Sequence, residues 1–138
     1  MKENNKVFIG IGTNLGNREQ NLKTALKEIG KIAEIKKKSR IHETKPVGYK
    51  KQNNFLNMAI EIKTNLLPTD LIIRLHEIEH KMGRIREIKN GPRIIDLDIL
   101  TYGNLKINEP HLKIPHPRMH ERDFVLKPLK EISNDFDN

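Results

Sequence analysis

Cysteine and tryptophan are absent, and the aromatic residues are four phenylalanines and two tyrosines. Without cysteine there is no disulfide framework and no thiolate chemistry. So few rings argue against a module that stacks RNA bases on an open sheet. No apolar run approaches the roughly 18 residues a membrane helix needs. The first residues, Met1-Lys2-Glu3-Asn4-Asn5-Lys6, lack the apolar segment of a secretory leader. A cytoplasmic protein without a membrane partner is expected. Internal repeats and low-complexity linkers are missing too. One domain over residues 1–138 is expected, frayed from about 134 to 138.

Charge is plentiful: 32% of residues are charged, against 36% hydrophobic, and the net charge is +8. A basic balance favours anionic partners, whether nucleic acid, a membrane surface or nucleotide phosphates. Many lysines, such as Lys36-Lys37-Lys38, read as ordinary surface.

Two acidic residues stand out by their setting. Gly91-Pro92-Arg93-Ile94-Ile95-Asp96-Leu97-Asp98-Ile99-Leu100 reads as a strand after a Gly-Pro turn. Side chains alternate along a strand, so Ile95, Leu97 and Ile99 enter a core while Asp96 and Asp98 share the other face. Neighbouring carboxylates resist ionising together unless a cation sits between them. A hard cation such as Mg²⁺ suits such oxygen ligands and brings phosphates with it. Arg84, Arg86, Lys89 and Arg93 lie close upstream, which makes the combination a candidate polyphosphate pocket.

The rest of the chain supplies a frame. Val7 to Ile11 reads as a buried strand, and the glycines of Gly10-Ile11-Gly12-Thr13-Asn14-Leu15-Gly16 as a turn into the next helix. The third glycine comes one position late for a dinucleotide fingerprint. Asn17 should cap a helix running to about Ile32. Glu34 to Thr44 reads as a polar strand, Thr44 to Asn54 as a loop, and Phe55 to Thr64 as a strand. Pro68 opens a second helix that Gly83 stops. After the acidic strand, Tyr102-Gly103-Asn104 turns into a short strand at Leu105 to Ile107. Ile114 to Met119 is extended, and a short helix or turn from Met119 ends at Pro128. The order β-α-β-β-α-β with an extra hairpin strand predicts an α+β fold. It is the ferredoxin-like arrangement: an antiparallel sheet with helices on one face.

His76-Glu77-Ile78-Glu79-His80 matches the H-E-x-x-H of zinc proteases. Leu71, Leu75, Ile78 and Met82 mark the buried face of that helix, so both histidines should face water. A third ligand is not evident. Glu79 sits at the edge of the apolar stripe, where a cleft could use it.

Taken together, these residues resemble the 6-hydroxymethyl-7,8-dihydropterin pyrophosphokinase family of folate synthesis. The matching pieces run in order: Ile9 to Gly16, Thr44-Lys45-Pro46-Val47-Gly48, Phe55-Leu56-Asn57, Glu79, Gly83-Arg84-Ile85-Arg86, Gly91 to Leu100, Ile114 to Met119, and Glu121 to Leu126. The resemblance implies an enzyme that moves the β,γ-diphosphate of ATP to the pterin hydroxymethyl group. It implies two Mg²⁺ ions on Asp96 and Asp98, and catalytic roles for Arg84, Arg93, Asp96 and Asp98. ATP would be bound by Glu79, Arg84, Arg93, Ile99, His116 and Arg122. The pterin pocket would comprise Thr44, Pro46, Val47, Phe55, Asn57 and Phe124. A monomer with no nucleic-acid partner is expected. Many members carry Arg-Trp where this chain has Lys89-Asn90.

Overall fold

Asn5–Thr13 forms β1, and the sheet is built outward from it on both sides. The structure, a computed structural model, describes residues 5–46, 48, 51–84 and 92–134. Along the chain follow α1 (Arg18–Ile29), β2 (Glu34–Lys38), β3 (His42–Thr44), β4 (Phe55–Thr64) and α2 (Pro68–Lys81). Then come β5 (Asp96–Tyr102), β6 (Ile107–Glu109), β7 (Leu112–Ile114), a 3-10 turn at Met119–Glu121 and α3 (Asp123–Ile132). The main sheet runs β2-β4-β1-β5, with β3 also on β4, and its pairings are antiparallel. Each βαβ connection therefore skips a strand, as the predicted ferredoxin-like order requires.

Alternation sorts the sheet into two faces. Val7, Ile9 and Ile11 of β1 join Met58, Ile60 and Ile62 of β4 and Leu97 and Ile99 of β5. They pack under Leu22, Ala25 and Ile29 of α1 and Leu71, Leu75 and Ile78 of α2. The period of two in the strands meets a helical stripe in each helix, which is enough to explain this layer. Phe8, Ala59 and Leu100 point the other way and are covered by Met119 and by Leu129 and Ile132 of α3. Helices thus lie on both faces, not on the one face expected, and α3 covers only part of its side. The uncovered part is the cleft.

Several boundaries differ from expectation. The polar strand breaks at Ser39–Ile41, because Ser39 Oγ takes the Ala59 N–H at 2.9 Å and Glu131 takes the Arg40 N–H at 2.8 Å. Helix α3 continues through Pro128. The amide proton Pro128 lacks would have gone to Phe124, in the first turn, and burial of Pro128, Leu129 and Ile132 outweighs the loss. The hairpin forms between β6 and β7 as a separate two-stranded sheet, not against β5. Helix α1 begins after Asn17, whose Oδ1 accepts the Gln20 N–H at 3.1 Å, and ends at Ile29. Gly83, at φ +93°, follows α2 as expected. Among the described residues, no helix is long and apolar enough to cross a membrane.

Candidate active site

Gly10 and Gly12 lie within β1, directly opposite Asp98 and Asp96 of β5. On the other side of β1 they face Ala59 and Asn57 of β4. Contrary to expectation, Gly10 and Gly12 do not turn the chain but leave the floor of the cleft bare, while Gly16, at φ +71°, lies in the bend before α1. A Cβ on Gly12 would stand 3.0 Å from Asn57 Oδ1, and one on Gly10 3.4 Å from the Leu100 side chain. A glycine within a strand marks close approach by something else. Here the something else has a cleft of about 490 Å³, walled by Thr44, Phe55, Asn57, Arg93, His116, Arg122 and Phe124.

The acidic end is held from behind. β5 is the edge of the sheet, and the Leu97 N–H donates to Glu79 Oε2 at 2.8 Å. The same oxygen accepts Arg84 Nη1 at 2.6 Å, and that Nη1 also donates to Asp96 Oδ1 at 2.9 Å. Arg93 Nη1 donates to Asp96 Oδ2 at 3.4 Å. Three carboxylates thus crowd two guanidiniums. Burial raises the Glu79 carboxyl above its ordinary range, against the pull of the Leu97 N–H and Arg84. Burial, then the Asp96 and Glu79 charges, pushes Asp98 up to about 7 despite Arg84 and Arg93. A buried carboxyl whose ionisation is disfavoured by the carboxylate beside it, on a floor with no side chain opposite, suits a hard divalent cation. The donor set therefore fits Mg²⁺.

The other end is flat and partly apolar. Phe55 and Phe124 both line the cleft half-buried, and Asn57, beside the bare Gly12, donates its Nδ2 to Thr44 Oγ1 at 2.7 Å. The Arg122 guanidinium lies 5.5 Å from the Phe124 ring centroid. Between the two ends, burial and then the Arg122 charge lower the pKa of His116. The Arg118 N–H donates to His116 Nδ1 at 3.3 Å, so in the neutral ring the proton is on Nε2.

The structure therefore gathers Thr44, Phe55, Asn57, Arg93, Asp96, Asp98, His116, Arg122 and Phe124 around one cleft. It does not bring in all the expected residues. Ile99 does not line the cleft: alternation turns its side chain into the core under α1 and α2, where it is 3% exposed. Glu79 does not line the cleft either; it is buried behind β5, clamping the strand edge. The Arg84 side chain is 5% exposed and held between Glu79 and Asp96, outside the cleft lining. Pro46 is half-buried outside the cleft lining, and Val47, Arg86, Lys89, Asn90 and Gly91 lie outside the described residues. His76 and His80 are exposed, as expected, and the described residues contain no metal-binding group of three such side chains. Lys45, Arg118, Glu121 and Asp123 also line the cleft and were not singled out from the sequence. For Gly10 and Gly12 the signal was there: two glycines spaced by two inside an apolar run.

The model of the family described as 7,8-dihydro-6-hydroxymethylpterin-pyrophosphokinase matches residues 8–134. The 2-amino-4-hydroxy-6-hydroxymethyldihydropteridine pyrophosphokinase of Bacillus subtilis (strain 168) is 48% identical over 131 residues, 94% of this chain and 78% of that one. The protein of the same description in Aquifex aeolicus (strain VF5) is 40% identical over 126 residues, 91% of this chain and 79% of its own. A crystal structure described as HPPK-DHPS in complex with substrates superposes with a TM-score of 0.74 at 20% identity. That match covers 94% of this chain and 40% of the solved one, and it speaks to the fold.

Proposed function

Because the chain belongs to the 7,8-dihydro-6-hydroxymethylpterin-pyrophosphokinase family, we propose that it transfers the terminal diphosphate of ATP to 6-hydroxymethyl-7,8-dihydropterin, a step of folate synthesis. The pterin hydroxymethyl oxygen bonds to the β-phosphorus, the bond from that phosphorus to the bridging α,β-oxygen breaks, and AMP leaves with that oxygen. The hydroxyl proton is released. The observation that carries this reading is one cleft whose glycine floor is flanked by the Asp96 and Asp98 dicarboxylate and whose lining includes two phenylalanine rings.

Phe55 and Phe124 grip the flat pterin, and the amide of Asn57, oriented by Thr44, reads its polar rim. Arg93, Arg122 and the Nε2–H of neutral His116 hold phosphate oxygens along the far wall. Arg84 serves the same end indirectly: with Glu79 behind it, it fixes the Asp96 carboxylate. Asp96 and Asp98 would hold Mg²⁺, two ions in the full complex. When bound, the metal neutralises charge on the bridging phosphate oxygens. Holding both reactants in line on a rigid strand floor supplies the remaining advantage. In this reading the enzyme acts as a monomer in the cytoplasm, which size-exclusion chromatography and fractionation test separately.

The decisive experiment mixes the protein with ATP, Mg²⁺ and the hydroxymethyldihydropterin, and looks for AMP and a pterin diphosphate in equal amounts. No AMP above a Mg²⁺-free control would overturn the reading. Binding of RNA in EDTA, or a stoichiometric zinc ion, would point instead to a nucleic-acid module or a zinc hydrolase.

A further inference from the structure

Asn14 lies just past the end of β1, is 1% exposed, and connects two segments far apart in sequence. Its Oδ1 accepts the Arg93 N–H at 2.8 Å, and its own backbone N–H donates to the Arg93 carbonyl at 3.0 Å. Its Nδ2 donates to Gln52 Oε1 at 2.7 Å and to the Asn53 carbonyl at 3.0 Å. A primary amide offers an acceptor oxygen and two N–H donors, and all are used here. One partner segment carries Arg93 to the carboxylates. The other leads directly into Phe55.

Nearby bonds brace the same junction. Thr13 Oγ1 donates to the Ile94 carbonyl at 2.6 Å, and Arg18 Nη1 to the Asn54 carbonyl at 2.9 Å. Yet among the described residues only Asn14 bonds to both segments with one side chain. Neither a shorter hydroxyl nor an apolar side chain of similar size could do so. Asn14 is not among the residues that line the cleft, so it acts on ligands only through Arg93 and Gln52–Asn53.

We propose that Asn14 is a positioning residue that couples the two substrate subsites. The inference rests on the pyrophosphokinase reading above. A pterin seated against Phe55 fixes the preceding Gln52–Asn54 backbone. Through the Asn14 amide, that geometry is imposed on the backbone of Arg93, at the phosphate end. By linkage the effect is reciprocal: nucleotide held at Arg93 favours the loop geometry that receives pterin. The bond set supplies a contiguous physical route between the sites, each link at hydrogen-bond distance.

The test is calorimetry of pterin binding with and without a non-hydrolysable ATP analogue and Mg²⁺. The wild type should bind pterin at least about fivefold more tightly when the analogue is present. Asn14→Ala should bring that ratio to within about twofold of one, with each ligand's affinity alone changed by less than about threefold. In steady state kcat should fall more than about tenfold while the two KM values move little, because Arg93 is present but misplaced. Should Asn14→Ala fold poorly, Gln52→Ala removes a half-exposed partner and one arm of the bridge. It should lower the ratio part of the way. A ratio of one in the wild type, or an unchanged ratio in the folded variants, would overturn the inference. A wild type that makes no AMP removes the reading beneath it instead, so the two failures are distinguishable.

Discussion

Replacing Glu79 by alanine should cost about 3 kcal/mol of folding stability, the lower end of the roughly 3–5 kcal/mol for removing one partner of a buried ion pair. The side chains of Glu79 and Arg84 are 8% and 5% exposed, so water cannot easily substitute. One Glu79 oxygen takes both the Arg84 Nη1 at 2.6 Å and the Leu97 N–H at 2.8 Å. The Leu97 amide points off the sheet edge, and leaving a buried donor unpaired costs about 1–3 kcal/mol by itself. Arg84 keeps Asp96 at 2.9 Å, so its charge is not orphaned, which holds the total down. Glu79→Gln keeps an acceptor for both donors and loses only charge assistance. Bonds to charged groups contribute about 1.5–3 kcal/mol against 0.5–1.5 for neutral ones, so its loss should be about 1–2 kcal/mol. Urea unfolding followed by far-UV circular dichroism measures both, since the chain has no tryptophan to report fluorescence. A loss under about 1 kcal/mol for alanine, or a glutamine variant less stable than the alanine one, refutes the clamp.

Other outcomes follow from the same cleft. Asp96→Asn and Asp98→Asn should fold and lose nearly all turnover; either one keeping wild-type rates at limiting Mg²⁺ would remove the metal assignment. Asp98 titrates near 7 when folded and near 4 when unfolded, so the stability of its neutral form is present below about 4 and lost as pH rises through 7. Asp98→Asn should abolish that loss, read as urea midpoints at about pH 5 and 8 in EDTA. Phe55→Ala should weaken pterin binding at least about tenfold, or ~1.4 kcal/mol, and leave an ATP analogue nearly untouched. Equal losses for both ligands would make the ring ordinary packing. His76→Ala with His80→Ala should change stability by less than about 0.5 kcal/mol and leave turnover intact, since both side chains are exposed. Activity that disappears together with a bound zinc ion would contradict this.

Local pattern made much of the frame readable. Strand β4 spans Phe55–Thr64 as expected, and Pro68, Asn17 and Gly83 punctuate the helices where their backbone chemistry demands. The shared face of Asp96 and Asp98 followed from a period of two. What escaped was decided across long sequence distances. The break at Ser39–Ile41 depends on Glu131, and the persistence of α3 through Pro128 depends on Phe8 and Leu100 beneath it. The engagement of Arg84 was not legible either, because nothing in its own neighbourhood announces that Glu79 and Asp96 close around it. Ile99 shows the opposite lesson. The alternation that turns Asp98 toward the cleft already buries the Ile99 side chain, which the local pattern by itself could have shown.

The incomplete cover that α3 gives its side of the sheet has a thermodynamic meaning. At the Leu100 end the protein is helix on sheet on helix; at the Gly12 end the outer layer is missing. A substrate lying on the glycines takes the place of that layer, with rings and carboxylates meeting it as core and rim. Ligand is then a transient piece of the fold. Saturation at about a hundred times Kd should add about 2.7 kcal/mol to the unfolding free energy. Melting temperature becomes a gauge of occupancy, and it should climb in steps as each half of the absent layer is filled.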